Sequence, residues 1–319
     1  MNKFFCGVDL GGTKLSIGLV NEEGIVIDKI LVKDHIGKPE EMVVEEIVLL
    51  VKKIIKRNDL EEDEFPGIGI GFPGHVRYAD GITITSSNLT GFKNYPLQSE
   101  LQKHFKIPVI VDNDANAQAY GEFTYGAGKD YNTMIFLTIS TGIGAGIVIN
   151  RKLFRGLTGT AGEMGHTIID VNSKRKCTCG NYGCLMTCAC GMALPNLFRE
   201  KYESGKKTSM DVPGEFDYSR VDGHFIKRGL ENGDPLSTEI VLECADYIGI
   251  ALYNIFQTFN PPLIVLGGGL VSWGEIYLNR IRKKFYELAG DMLFDPIKIV
   301  ESSIGCDAGL IGAASLILE

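Results

Sequence analysis

A chain of 319 residues, 45% hydrophobic and 23% charged, is long enough for two core-forming lobes and lacks the composition of a disordered polymer. Its formal net charge of −8 offers no basic face to neutralise a phosphate backbone, which argues against nucleic acid as a partner. The opening residues show no cleavage-type small-residue site and no apolar run reaches bilayer-spanning length, so we expect a cytoplasmic protein whose eight cysteines are reduced thiols or metal ligands.

In chain order, residues 4–10, 14–20 and 25–32 read as an antiparallel meander, with Asn21-Glu22-Glu23-Gly24 as its second turn. Over 39–57 the apolar residues Met42, Val43, Ile47, Leu50, Val51, Ile54 and Ile55 recur at helical spacing, and basic residues gather near the C-terminal end. Short buried strands are expected at 67–72 and 109–111, with a helix at 97–105 between them. The opening arrangement then returns at 133–140 and 144–150, so that Asp9 aligns with Ser140 and Gly11 with Gly142. Two copies of a meander with helices predict a duplicated α/β fold and a ligand-binding cleft; two unrelated hairpins are the alternative. Residues 204–222 read as an irregular surface excursion, 236–259 as a long helix stopped by Pro261-Pro262, 263–266 as a buried strand, and 309–318 as a closing helix. We place a small lobe at 1–114, completed by 305–319, and a large lobe at 115–304 that carries a metal-binding loop at 163–190.

Five constellations carry chemistry. At the first turn, Asp9-Leu10-Gly11-Gly12-Thr13-Lys14 offers backbone N–H groups that can approach an anion, donors from Thr13 and Lys14, and a carboxylate, Asp9, suited to hydrated Mg²⁺. The equivalent turn of the second copy is Ser140-Thr141-Gly142-Ile143-Gly144-Ala145-Gly146, and Thr141, Gly142 and Gly144 would complete a clamp on a polyphosphate. Gly267-Gly268-Gly269, after a buried strand, allows close approach of a nucleotide, or is simply a tight connection. No Walker sequence occurs and no convincing dinucleotide fingerprint, so neither P-loop chemistry nor hydride transfer is indicated. In Asp112-Asn113-Asp114-Ala115-Asn116, a carboxylate at a strand end can take a proton from a hydroxyl, with an adjacent amide to fix the substrate; Asp114 is the chosen base. Asp112 or Asp114 could instead cap the following helix. Last, Glu163-Met164-Gly165-His166 followed by Cys177, Cys179 and Cys184 matches a closed tetrahedral Zn²⁺ site of one imidazole and three thiolates, structural in kind, against unligated buried thiols as the alternative.

Taken together these residues resemble the ROK family, which includes bacterial glucokinases, fructokinases, N-acetylmannosamine kinases and allose kinases, and the resemblance spans essentially the whole chain. It implies the duplicated actin-like ATPase (ribonuclease H-like) fold of sugar kinases, in two lobes, usually assembled as a homodimer. It implies ATP and Mg²⁺ as cofactors and Asp114 as catalytic base. It also implies Asn113, Glu163 and His166 as sugar contacts, His166 as a Zn²⁺ ligand as well, and Gly71-Phe72-Pro73-Gly74 lying against the sugar through Gly74. One position departs: the family pattern Gly-Cys-x-Glu supplies a glutamate for hydroxyls at the C1 and C2 end of the sugar, and this chain has Met186. Loss of that acceptor puts the identity of the sugar in doubt but leaves phosphoryl transfer intact. Cys188 and Cys190 follow at once, as small apolar packing or as alternative metal ligands.

The resulting expectation is an ATP-dependent hexose kinase acting on the 6-hydroxyl of glucose. Three rivals are a kinase for N-acetylmannosamine, allose, fructose or a glucoside, a sugar-responsive repressor of the same family, and an idle zinc-stabilised sugar binder. The repressors carry an added N-terminal helix-turn-helix, whereas here about three residues precede the first strand, with no basic segment.

Overall fold

The computed structural model describes residues 4–319 apart from 34, 36, 87 and 213. Strands β1 (Phe4–Leu10), β2 (Leu15–Asn21) and β3 (Val26–Val32) form the expected meander. β1 and β2 are buried almost throughout, whereas β3 alternates between half-buried and exposed residues, as an edge strand with one wet face should. Helix α1 (Glu40–Arg57) packs Val43, Ile47, Val51 and Ile54 on one face, and its acidic first turn and basic last turn complement the helix dipole. β4 (Ile68–Phe72) adds parallel to β1. A hairpin the sequence did not reveal, β5 (His75–Arg77) with β6 (Ile82–Thr85), and helix α2 (Leu97–Gln102) lead to β7 (Val109–Asn113), which adds parallel to β4. Helix α3 (Asp114–Tyr125) leaves directly from the end of β7.

The second set of strands is β8 (Met134–Ile139), β9 (Ile143–Ile149), β10 (Lys152–Leu153), β11 (Leu263–Gly267) and β12 (Lys298–Glu301). The first sheet runs β3-β2-β1-β4-β7 and the second β10-β9-β8-β11-β12. Ranked by chain position, both read third, second, first, fourth, fifth, which is the shared topology that a duplication requires. Between β10 and β11 come α4 (Met186–Ala189), α5 (Leu194–Glu203), α6 (Gly223–Glu231) and α7 (Pro235–Phe259); α8 (Glu275–Ala289) precedes β12 and α9 (Ala308–Ser315) follows it. Among the described residues no helix is long and apolar enough to cross a membrane.

The chain divides into two compact units. One comprises Met1–Phe136, Gly146–Gly162 and Ser302–Glu319, the other Leu137–Ala145 and Glu163–Glu301. Two features bind α9 into the first unit. A Cβ on Gly7 or Gly69 would overlap the carbonyl oxygens of Leu310 and Ala313, so only bare backbone lets α9 lie so near β1 and β4. On its other side Gly312 meets the backbone of α3 at Ala117 and Gly121. In the second unit the 204–222 segment is less free than its composition suggests. Thr208 Oγ1 and the Ser209 amide donate to buried Asp234, which also caps α7 through the Ser237 amide at 2.7 Å, while Phe216 and Tyr218 meet edge-on and both tilt against Phe198, with Phe216 also against Phe225.

Gly69→Val is therefore expected to force α9 off the sheet and cost about 1–3 kcal/mol of stability or more. Thermal unfolding checks this: an unchanged midpoint would mean that the close approach carries no weight.

Candidate active site

In the first unit the turn after β1 is closed by the Gly11 amide donating to the Lys14 carbonyl at 2.9 Å. His35, wholly buried, donates from Nε2 to the Gly11 carbonyl at 2.8 Å and so braces the turn from behind. Lys14 Nζ stands 3.7 Å from Asp9 Oδ2 at the mouth of the turn, and Thr13 is exposed beside it. Burial pushes the Asp9 carboxyl above its ordinary range, and Lys14 works against that shift. A Cβ on Gly12 would fall 2.5 Å from Asn88 Nδ2, and one on Gly309, in the first turn of α9, 2.6 Å from the Asp9 carboxylate; both glycines leave room for a polar group. Nothing in the sequence marked His35, Asn88 or Gly309, because each comes from a distant segment.

The β7–α3 junction gives three consecutive residues three environments. Asp112, almost fully buried, accepts from the Asn113 amide at 2.7 Å, Asn116 Nδ2 at 3.1 Å and Arg155 Nε at 2.8 Å. Arg155 stacks on the Tyr78 ring, its guanidinium carbon 3.5 Å from the centroid, and also pairs with the Glu319 carboxylate. Burial raises the Asp112 carboxyl's pKa and Arg155 opposes the rise. Asn113 is the helix cap: its Oδ1 accepts from the Ala115 and Asn116 amides. The expectation that Asp112 or Asp114 caps α3 is thus corrected, since the chain reaches helical geometry one residue after Asn113 and only the residue before it can cap. Asn113 Nδ2 donates to the Gly74 carbonyl at 3.0 Å and to Asp114 Oδ1 at 3.1 Å, and the Ala115 amide donates to that same oxygen at 2.8 Å. Gly74, Asn113 and Asp114 are therefore one bonded cluster, with Asp114 half-buried at its edge.

In the second unit the Ser140 amide donates to the Gly142 carbonyl at 2.8 Å, and Gly191 and Met192 amides donate to the Ser140 and Thr141 carbonyls. Gly268, with φ of 93°, sits where a Cβ would lie 2.6 Å from the backbone nitrogen of Ile139, so the turns holding Thr141 and Gly268 adjoin. Gly267 is buried in β11, Gly268 and Gly269 are exposed beyond it, and Gly144 is half-buried within β9.

His166, Cys177, Cys179 and Cys184 bring one ligand atom each within 4.8 Å of one another. His166 Nδ1 lies 3.4 Å from Cys177 Sγ, and Cys179 Sγ 3.6 Å from Cys184 Sγ. One nitrogen and three sulfurs this close suit a tetrahedral borderline-soft cation such as Zn²⁺. Gly180 and Gly183 adopt φ of 95° and 71° in the knuckle that brings the thiols together. Cys188 and Cys190 stand outside this group and are buried; burial pushes the Cys190 thiol to about 11, and its Sγ donates to the Met186 carbonyl. Met186 itself accepts at Sδ from the Ile143 amide at 3.3 Å, and its methyl lies against Gly165, inside the turn that carries Glu163 and His166. His166 Nε2 is 3.9 Å from Glu163 Oε2.

A fold of two units with glycine-lined turns, a strand-end carboxylate and a His-Cys₃ knuckle matches the ROK family model over residues 5–319, and the chain belongs to the ROK family. It is 33% identical to a glucokinase of Thermotoga maritima over 98% of this chain and 96% of that one, and 32% identical to a xylose repressor of Caldicellulosiruptor bescii over 98% and 77%. Among solved structures it resembles a ROK family glucokinase of Streptomyces griseus in complex with glucose and AMPPNP, with a TM-score of 0.81, 31% identity and 98% of each chain covered. The fold is accordingly the actin-like ATPase fold of two lobes.

Arg155→Met would leave the Asp112 carboxylate buried without its cation, and a loss of about 3–5 kcal/mol in urea unfolding is expected. Adding Asp112→Asn to the same chain should recover part of that loss. Equal stability of wild type and Arg155→Met would show that the network is not a buried ion pair in solution.

Proposed function

We propose that this protein transfers the γ-phosphate of ATP to a hexose hydroxyl, with the 6-hydroxyl of glucose as the leading acceptor. The observation that carries the reading is the cluster of Gly74, Asn113 and Asp114, in which a half-buried carboxylate at a strand end is fixed by the Asn113 side-chain amide and the Ala115 backbone amide. Its glucokinase relatives, and the S. griseus enzyme described with glucose and AMPPNP, support the same choice. Asp114 accepts the hydroxyl proton as the oxygen attacks the γ-phosphorus; the new oxygen–phosphorus bond forms while the bridge to ADP breaks.

Asn113 is already engaged as cap and donor, so its part is to hold Asp114 and the Gly74 carbonyl for the sugar. Glu163 and His166 are set too far apart for a direct hydrogen bond, a spacing that one sugar hydroxyl can bridge by accepting from Nε2–H and donating to the carboxylate. In that tautomer Nδ1 is left to bind metal, and a carboxylate beside the other ring nitrogen is the usual partner of a metal-bound histidine. Lys14, Thr13 and the amides of Gly11, Gly12, Thr141, Gly142 and Gly144 would hold phosphate oxygens, and Gly267, Gly268 and Gly269 would admit the nucleoside. Asp9 would hold hydrated Mg²⁺, whose charge offsets that of the phosphates. His166, Cys177, Cys179 and Cys184 would hold a structural Zn²⁺. The resemblance also suggests a homodimer.

The repressor relatives define the second reading, and two measurements separate them. Purified protein should release ADP on addition of a sugar; no ADP with any hexose, together with retention of operator-like DNA, would overturn the kinase. Asp114→Asn is expected to lower kcat by about 10²–10⁴ while calorimetry still detects sugar binding; a fully active variant would remove Asp114 as base. Metal analysis should find one Zn²⁺ per chain, and Cys179→Ser should lose it with a clear drop in Tm. Retention of metal by that variant would dismiss the knuckle as a four-ligand site.

A further inference from the structure

The second unit contains a cavity of about 700 Å³, within the range of small-molecule pockets, that no step above uses. Its walls come from the segment leading into the metal knuckle, the start of α4 and the first turns of α5. Four cations, Lys174, Arg175, Lys176 and Arg199, face two carboxylates, Asp170 and Glu200, around it. Arg175 is paired with Glu200, its Nη2 and Nε donating to Oε2 at 2.8 and 3.0 Å, so Lys174, Lys176 and Arg199 stand against the single remaining carboxylate of Asp170 and the lining carries a net positive charge. A positive concavity in a chain of net charge −8 is a local departure that favours an anion.

Two lining residues tie the cavity to the site already described. Cys177 belongs to the His-Cys₃ group, and Met186 lies across Gly165 between Glu163 and His166. The Met186 thioether, a weak acceptor at best, is already taken by the Ile143 amide. At this corner a sugar meets an unbranched, adaptable apolar side chain in place of a hydrogen-bonding partner, with a basic cavity on the other side of the same residue.

We propose that the acceptor is a hexose already bearing an anionic substituent, a phosphate or a carboxylate, at the ring end away from the accepting hydroxyl, and that this substituent enters the cavity and is held by Lys174, Lys176 and Arg199. The proposal rests on the hexose kinase reading. The chemistry is unchanged: the free hydroxyl gives its proton to Asp114 and takes the γ-phosphoryl group from ATP, and ADP leaves.

The test compares kcat/KM for four acceptors with a free 6-hydroxyl: glucose, propyl glucoside, a 2-carboxyethyl glucoside and glucose 1-phosphate. At least one anionic acceptor should exceed the propyl glucoside by about tenfold, the equivalent of one charge-assisted contact, and the advantage should shrink as salt is raised. Which of the two leads tells phosphate from carboxylate. Lys174→Ala with Arg199→Ala should erase the advantage while kcat/KM for the propyl glucoside and the bound metal stay unchanged. Equal or better use of the neutral glycosides, or an advantage indifferent to the double variant, would overturn the proposal and leave the kinase standing. Inhibition of glucose turnover by inorganic phosphate that is not competitive with glucose would overturn it in favour of a separate anion site. No turnover with any sugar would remove both readings.

Discussion

The buried charge at Asp112 is the constraint from which the first unit's candidate site follows. A carboxylate that deep in the fold is tolerable only with its oxygens fully engaged, and Arg155, Asn116 and the Asn113 amide engage them. Each of these partners fixes something else. The Asn113 amide bond sets where β7 ends, Asn116 sets the first turn of α3, and Arg155 gathers the 146–162 segment and Glu319 onto the same strand. With β7 and α3 pinned on both sides of the junction, Asn113 must cap and Asp114 must project from the first helical position. The position of the proposed base is thus inherited from an ion pair that takes no part in the proposed proton transfer.

The glycines do a second kind of positioning, through close approach more than through turns. Gly7, Gly69, Gly121 and Gly312 allow α9 to lie between the first sheet and α3 at backbone contact, and the same helix brings Gly309 against the Asp9 carboxylate. A helix N-terminus beside Asp9 partly offsets the cost of burying that carboxylate, alongside Lys14. The helix that completes the first lobe therefore also shapes the turn proposed to hold phosphate, so packing and the proposed function share residues there.

How far the sequence could be read depended on whether the relevant contacts were local. The meander, the helices at 40–57 and 235–259, and the strand at 263–267 rest on periodicity and on local stops such as Pro261-Pro262, and they were legible almost to the residue. The grouping of His166, Cys177, Cys179 and Cys184 was legible because the four fall within one short stretch and soft-metal chemistry allows few residue types. The hairpin β5–β6 was not, since three- and four-residue strands carry too few alternations to stand out. His35, Asn88, Arg155 and Glu319 were illegible for another reason: their meaning depends on partners 24 to 164 residues away, and no local pattern encodes such pairings. The cap at Asn113 shows the limit even of local reading, because three adjacent capping residue types compete and the tertiary bond from Arg155 to Asp112 decides among them.

The loop from 163 to 190 shows what a metal at the His-Cys₃ group would contribute. Ile168 is 54% exposed, Val171 84% and Tyr182 52%, so these apolar residues of the loop face solvent, and Leu185, wholly buried, anchors it only near its C-terminal end. So few buried apolar groups give Glu163 and His166 little support at the tolerance the proposed phosphoryl transfer would require, since misplacement by about 1 Å can cost about 10²-fold in rate. A cross-link would supply that support, and His166, Cys177, Cys179 and Cys184 are grouped closely enough for a bound metal to be the cross-link. Because His166 shares a short turn with Glu163, one imidazole would serve as both the anchor and the proposed sugar contact. The geometry offered to the proposed sugar would then be set by coordination bonds, while Met186, packed against the same turn, would vary the chemistry at its far end.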